Sequence, residues 1–183
     1  TMKKSTLKLL SLGIALYCFL IGTTGTAQTV YSVPSSTCSS CSNGTYAPVD
    51  ICDAEYTAEA DIYPSGSLAF GTVSAIGFDQ ISGSQSNIPI KIYMKTTSAS
   101  TLSASSWSSA ISGATLVYSG SVSFTSTGWK TITLGTSFTY SSNNLEVLVE
   151  CDWGTTTTCA NNPILYYYTA SVKTDEYWEN TAN

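Results

Sequence analysis

The stretch that decides the fold is Ile88-Pro89-Ile90-Lys91-Ile92-Tyr93-Met94-Lys95, in which aliphatic side chains occupy every second position. Ile88, Ile90, Ile92 and Met94 fall on one face of an extended chain, and Lys91, Tyr93 and Lys95 fall on the other. A side-chain period of two is typical of a β-strand with one buried face. The sequence therefore predicts a half-buried strand at this position.

Three further runs downstream have the same character, and residues that favour turns separate them. The runs are Thr115–Phe124, Gly128–Leu134 and Leu145–Cys151. The last run places Glu146 and Glu150 opposite its aliphatic row, with Leu148 as the exception. Shorter strands are predicted at Tyr56–Tyr63, Gly71–Asp79, Thr136–Tyr140 and Pro163–Thr169. This pattern predicts an all-β fold, a two-sheet antiparallel jelly-roll-like β-sandwich.

The connection from Thr96 to Ala114 is long and rich in Ser, Thr and Ala, and it contains Leu102, Trp107 and Ile111. We expect it to cross from one sheet to the other. The three large side chains would pin it down, with one helical turn near Ser103–Trp107.

The N-terminus has the organisation of a secretory signal peptide. A basic segment, Met2–Lys8, precedes an apolar run from Leu9 to Ile21, and Gly25 and Ala27 are small residues at the cleavage positions. The alternative is a membrane anchor, but the apolar run is shorter than the roughly 20 residues that a spanning helix needs. We therefore predict a signal peptide over 1–27 and a mature chain that has no membrane span and is secreted or held at the cell surface.

The remaining chain divides by composition into a cysteine-containing, loop-rich segment at 28–55 and a β-sandwich domain at 56–183. The last residues do not form a recognisable terminal strand. We expect the chain to be a fragment of a longer protein.

The charge balance excludes one class of partner. The whole chain carries a formal net charge of −5, and all seven of its basic residues are lysines. Removal of residues 1–27 leaves four lysines against twelve carboxylates, a net charge of −8. An acidic domain without arginine repels phosphate backbones, so nucleic-acid binding is not expected.

Five cysteines lie beyond the predicted signal peptide, and in an exported protein they favour disulfides. Cys151 and Cys159 flank a short loop and are the predicted pair. The pairing of Cys38, Cys41 and Cys52 stays open. Cys38-Ser-Ser-Cys41 has the spacing of a redox or zinc motif, but the chain has no histidine and no second CxxC, so we interpret these cysteines as structural.

The absence of histidine also excludes Ser-His-Asp and Cys-His catalysis. Glu146 and Glu150 are four residues apart on one strand, about 13 Å at ~3.3 Å per residue, which is too far for a glycosidase pair. We interpret them as a solvated outer strand face.

Two binding hypotheses remain. Asp50, Asp53 and Glu55 cluster in a loop and could hold Ca²⁺ through hard oxygen ligands, or they could simply keep the surface soluble. No other cofactor is expected. Among the aromatic residues, Trp153, Tyr167 and Trp178 are the candidates for an exposed ligand-binding platform, whereas Trp107 and Trp129 are interpreted as core or crossover packing.

A set of short motifs in residues 56–154 resembles a β-sandwich module found in secreted and cell-surface proteins of Bacteroidota. The motifs are I-Y-x-K at Ile92–Lys95, Trp107, V-Y-x-G at Val117–Gly120, G-W-x-T-I-x-L at Gly128–Leu134, F-x-Y at Phe138–Tyr140 and N-L-x-V-x-V at Asn144–Val149. The resemblance implies a jelly-roll accessory domain, similar in style to cleaved-adhesin modules and often carried by substrates of type IX secretion. The cysteine-rich 37–52 segment departs from the pattern.

The resemblance supplies no catalytic motif, so it bears on the fold more than on the function. We expect an extracellular accessory or adhesion module that binds a surface glycan or a protein. The alternative is a carbohydrate-binding module of a secreted hydrolase, and an enzyme in its own right is a third, weaker hypothesis.

Overall fold

The computed structural model describes residues 42–44, 54–103, 106–154, 162–167 and 175–180. These residues form nine strands and one short helix: β1 (Ser42–Gly44), β2 (Tyr56–Tyr63), β3 (Gly71–Ser82), β4 (Gln85–Thr97), α1 (Trp107–Ala110), β5 (Thr115–Phe124), β6 (Gly128–Tyr140), β7 (Asn144–Asp152), β8 (Ile164–Tyr167) and β9 (Asp175–Asn180). The prediction of an all-β chain is confirmed. The runs predicted as separate strands at Gly128–Leu134 and Thr136–Tyr140 are one continuous strand, β6.

The strands form two antiparallel sheets, one with the order β1-β8-β3-β6 and the other with the order β5-β4-β7-β2-β9. Four antiparallel pairs are nested within one another along the chain: β4·β5, β3·β6, β2·β7 and β1·β8. The eight strands therefore form one long hairpin, which folds into two sheets while these pairs are kept. This nesting is the topology of a jelly roll. β9 is added at the edge beside β2, so the expectation that the last residues form no terminal strand is wrong. The predicted jelly-roll sandwich is confirmed. β1 lies inside the segment predicted to be loop-rich.

The main core is built from the rows that the sequence predicts. Ile88, Ile90, Ile92 and Met94 of β4 are at most 1% exposed. Their buried partners are Val117, Phe124, Ile132, Leu134, Tyr140, Leu145, Val147, Val149, Cys151 and Leu165, which come from strands of both sheets. Full burial of an aliphatic side chain contributes about 1.5–3 kcal/mol, so these alternating rows are the main stabilising feature of the sandwich.

The connection after β4 does not cross between sheets, and that expectation is wrong. β4 and β5 are neighbours in the five-stranded sheet, because they form the closed end of the long hairpin. The connection instead folds back over the outer face of this sheet. Its helical turn, α1, begins at Trp107, after the predicted position, and Ser106 caps it by accepting a hydrogen bond from the backbone N–H of Ser109.

This connection creates a second, outer core on the face of the five-stranded sheet that is turned away from the main core. Ala60, Ala110 and Leu148 are buried there, and Trp107, Ile111 and Trp178 pack against them among other half-buried residues. Leu148 breaks the alternation of β7 because its side of the strand is covered as well.

Two close approaches fix the turn between β3 and β4. Gly83 has φ +80°, and a Cβ built there would lie 1.9 Å from the backbone oxygen of Asn162. Buried Gln80 donates its side-chain N–H groups to the carbonyl oxygens of Gly83 at 2.8 Å, Ser82 at 3.2 Å and Phe124 at 3.3 Å. No helix among the described residues has the length and apolar character to cross a membrane.

Candidate functional site

The structure separates the aromatic residues predicted to bind a ligand. Trp153 is half-buried, packs against the main core and donates its backbone N–H to the carbonyl of Glu55 at 2.8 Å. Trp178 is half-buried in the outer core, where its ring lies 5.3 Å from that of Trp107. The backbone of Tyr167 pairs with Ser42 in β8, but its side chain lies outside the description. Trp153 and Trp178 therefore belong to opposite faces of the five-stranded sheet.

The exposed tryptophan is Trp129, which was predicted to be packing, and that prediction is wrong. It is 61% exposed, the largest value among the exposed large hydrophobic residues in the described part of the chain. Ile132 and Leu134 face the main core from the same strand, so the alternation of β6 turns Trp129 outward. Trp129 is three residues before Ile132, so a side-chain period of two places it on the opposite, outward face of the strand. The sequence alone could therefore have predicted that Trp129 is exposed.

Trp129 is held against the strand beside it. A Cβ on Gly77 of β3 would lie 3.1 Å from Cε3 of the indole and 3.5 Å from Cζ3. The ring thus rests where a side chain is missing, and covering a strand glycine in this way is a known role of aromatic residues. Most of the surface of the indole stays open to solvent.

Tyr118 of β5 is arranged in the same way. A Cβ on Gly120 would lie 2.9 Å from the Tyr118 hydroxyl oxygen and 3.1 Å from Cζ. The hydroxyl donates to the carbonyl of Ser121 at 3.1 Å, which fixes the ring along the strand. Two aromatic rings are therefore each placed over a glycine, one in each sheet.

An open cleft of about 500 Å³ runs along the line where β5 and β6 meet. Its lining includes Tyr118, Ser121 and Ser123 from β5 and Trp129, Lys130 and Thr131 from β6, and we call it the seam cleft. β5 pairs only with β4, and β6 only with β3, among the described strands, so each presents an unpaired edge.

The seam cleft is polar but almost uncharged. None of its lining residues is acidic, and Lys130 is the single cation among them. The Lys130 ammonium group donates to the hydroxyl of Ser126 at 2.8 Å. Together with Thr133, the serine and threonine residues of the lining offer hydroxyl groups that both donate and accept hydrogen bonds.

The two glutamates of β7 are not a solvated face, and that interpretation is wrong. Glu146 is 4% exposed and Glu150 is 7% exposed, because the α1 connection covers their side of the sheet. Glu150 forms an ion pair with Lys91 and accepts a hydrogen bond from the indole N–H of Trp107 at 2.7 Å. Glu146 forms an ion pair with Lys95 at 3.2 Å, and Lys95 also donates to the last carbonyl of α1, that of Ala110.

The packing around these glutamates raises the pKa values of three neighbouring side chains, Lys91, Tyr56 and Tyr93. The hydrogen bond to Glu150 raises the pKa of Lys91. Burial, reinforced by the charge of Glu150, raises the pKa of both Tyr56 and Tyr93 above 10.0. The carboxylates are thus engaged in fastening the connection to the sheet, and neither lies in the seam cleft.

The remaining site predictions fall largely outside the described residues. Glu55 is described, but Asp50 and Asp53 are not, so the Ca²⁺ loop stays a prediction. Within the described residues there is no group of three or more acidic or cysteine residues placed to hold a metal ion. Cys151 is buried in the main core, while Cys159, Cys38, Cys41 and Cys52 are outside the description, so the disulfide also stays a prediction.

Comparison of the chain with models of protein families, with curated proteins and with solved structures gave no match.

Proposed function

We propose that the chain is a non-catalytic accessory or adhesion module of a secreted or cell-surface protein, and that the seam cleft is its binding surface. The observation that carries this proposal is Trp129, which lies on strand β6 and is 61% exposed. Apolar surface left in water is unfavourable by about 25 cal/mol per Å². A partner that covered the indole would recover this free energy without any rearrangement of the fold.

A single exposed hydrophobic residue is ordinary on a protein surface, so Trp129 alone is not enough. The seam cleft adds a second fixed aromatic ring, a row of hydroxyl groups and two unpaired strand edges at one place. A binding surface needs this combination of apolar contact and convergent polar groups.

The chemistry of the chain supports a role in binding rather than catalysis. There is no histidine, and no acidic residue lines the seam cleft. The carboxylates of Glu146 and Glu150 are occupied by lysine and tryptophan donors under α1. The N-terminal segment at 1–27 and the resemblance to Bacteroidota surface modules support export as the route by which the domain reaches its partner.

A second candidate function is that of a carbohydrate-binding module belonging to a secreted hydrolase. The exposed indole of Trp129 favours it, because an aromatic ring can stack on a sugar. The two candidates differ in what the module serves, adhesion or delivery of an enzyme, and share the same cleft.

The proposal is tested by measuring retention of the purified chain on immobilised polysaccharides, glycoproteins and matrix proteins. We expect retention on at least one of these polymers, without cleavage of the polymer, and a loss of about tenfold in affinity in the Trp129→Ala variant. Leu116→Ala is the matched control, because Leu116 is also exposed on a strand, at 45%, and does not line the cleft.

Two results would count against this function. Release of reaction products by the chain would assign it a catalytic role. Equal retention of the Trp129→Ala variant and the unmodified chain would place the binding surface elsewhere.

A further inference from the structure

We propose that the seam cleft binds a neutral oligosaccharide, with Trp129 as the stacking platform and Tyr118 as a second aromatic contact. This inference rests on the proposed function and names the chemical class of its ligand.

The first argument is the exposure and position of the Trp129 indole. The face of an aromatic ring is electron-rich and attracts groups with partial positive charge, such as the C–H groups on one side of a pyranose ring. Trp129 packs over Gly77 and is 61% exposed, so the contact with Gly77 already limits the side-chain freedom that a bound sugar would remove. Rigid binding surfaces gain affinity because they lose less entropy when the ligand binds.

The second argument is the polar surroundings of the ring. A sugar carries a dense set of hydroxyl groups that each donate and accept hydrogen bonds. The hydroxyls of Ser121, Thr131 and Thr133 have the same dual capacity and line the cleft. The hydroxyl of Ser123 also lines it but already accepts a hydrogen bond from the backbone N–H of Asn87 at 3.1 Å. The unpaired edges of β5 and β6 add backbone N–H and C=O groups.

The third argument is charge, which selects neutral sugars. No carboxylate lines the cleft to recognise a cation, and its single lysine, Lys130, is hydrogen-bonded to Ser126. The chain as a whole carries a net charge of −5, and this field repels polyanions such as uronic-acid polymers. An uncharged polysaccharide meets neither obstacle.

The unpaired edges also fit a different occupant, an extended strand from a peptide or from a second copy of this chain. Such an occupant would bind mainly through backbone hydrogen bonds to the edge strand, and its contact with Trp129 would contribute little to its affinity. The two fixed aromatic rings favour the sugar, and strand pairing is one of the outcomes that the experiment separates.

The experiment is affinity electrophoresis of the purified chain through gels containing soluble polymers. The neutral polymers are β-glucan, xylan and mannan, and the acidic ones are polygalacturonate and alginate. We expect at least one neutral polymer to retard the chain, the acidic polymers to leave it unretarded, and Trp129→Ala to weaken the neutral interaction by about tenfold. Leu116→Ala is expected to stay within about twofold of the unmodified chain.

Gly77→Ala provides a second variant that keeps the indole but shifts it. The new Cβ would stand 3.1 Å from Cε3, so the ring must move by a few tenths of an ångström while the sheet stays paired. We expect a partial loss of retardation with an unchanged circular dichroism spectrum. This variant tests placement of the ring even if Trp129→Ala lowers stability.

Three results would overturn the inference: no retardation by any neutral polymer, stronger retardation by an acidic polymer, or equal losses in the Trp129→Ala and Leu116→Ala variants. Light scattering measures whether the chain is a dimer. A dimer that disappears in the Trp129→Ala variant would identify a second copy of the chain as the occupant of the cleft, and this result would also overturn the inference that the cleft binds a sugar. If the chain still binds a glycoprotein or matrix protein through Trp129 while every sugar fails, the adhesion function stands and the sugar assignment is wrong.

Discussion

At the scale of single residues, Gly83 shows how one position can fix the path of the chain. Its φ of +80° lies in the region that residues with a side chain rarely adopt, and the backbone of Asn162 fills the space where a Cβ would stand. Gly113 has a similar φ, +75°, but nothing lies within 4 Å of its Cβ position. A side chain at Gly113 would therefore cause backbone strain alone, whereas a side chain at Gly83 would cause the same strain and also a steric clash.

We expect Gly83→Ala to lower the free energy of unfolding by about 3 kcal/mol or more, because strain and a backbone clash add together. Gly113→Ala should cost about 1–2 kcal/mol, from strain alone. Urea denaturation of the two variants measures the difference. Equal losses would show that the backbone of Asn162 does not lie against Gly83.

The alternation of single residues predicts which face of a strand a side chain lies on, but not whether a distant segment covers that face. The alternation of β4 and β7 correctly assigns Ile90 and Val149 to the main core, because the period of two needs only local geometry. The same alternation places Glu150 on the other face but does not reveal that a distant segment covers that face. The prediction for Trp129 is wrong for a different reason, because the large size of its side chain favours burial whereas the period of its own strand turns it outward.

At the scale of elements, the connection between β4 and β5 behaves as a clamp on the five-stranded sheet. Trp107 begins α1, contacts Trp178 at 5.3 Å and Tyr93 at 6.2 Å between ring centres, and donates to the buried carboxylate of Glu150. Its indole therefore joins the helix to strands β4, β7 and β9. The sequence predicted the anchoring residues of this connection correctly but not the sheet over which it folds, because jelly-roll nesting is set by long-range pairing.

We expect Trp107→Ala to lower the free energy of unfolding by about 2–4 kcal/mol, since it removes half-buried aromatic packing and leaves Glu150 without one of its donors. Trp129→Ala should cost less than about 1 kcal/mol, because its ring is exposed and covers a single glycine. Thermal or urea denaturation compares the two tryptophan variants. A larger loss for Trp129→Ala would contradict the assignment of packing to one and binding to the other.

At the scale of the whole molecule, half-buried tyrosines make the free energy of unfolding depend on alkaline pH. Burial raises the pKa of Tyr63, Tyr56 and Tyr93 above the ordinary value of 10.0, and the bond to Glu150 raises that of Lys91. In each case the folded chain holds its proton more tightly than the unfolded chain. The stability from these groups is complete below pH 10 and is lost as the pH rises above it.

We therefore expect the free energy of unfolding to fall as the pH rises above about 10, with a smaller fall in the Tyr63→Phe variant, which has no proton to lose there. Urea titrations at a series of pH values measure the slope. A flat profile for the unmodified chain, or equal slopes for chain and variant, would show that the Tyr63 hydroxyl is solvated.

The central claim is that Trp129, rather than Trp153 or Trp178, presents its ring to a neutral sugar. It is tested most directly by following the indole N–H signals of the chain by nuclear magnetic resonance during titration with the best neutral oligosaccharide. The account predicts that the Trp129 signal, assigned through the Trp129→Phe variant, shifts most, while those of Trp107 and Trp178 in the outer core stay in place. A shift centred on Trp153 or Trp178, or no shift in any indole, would contradict it.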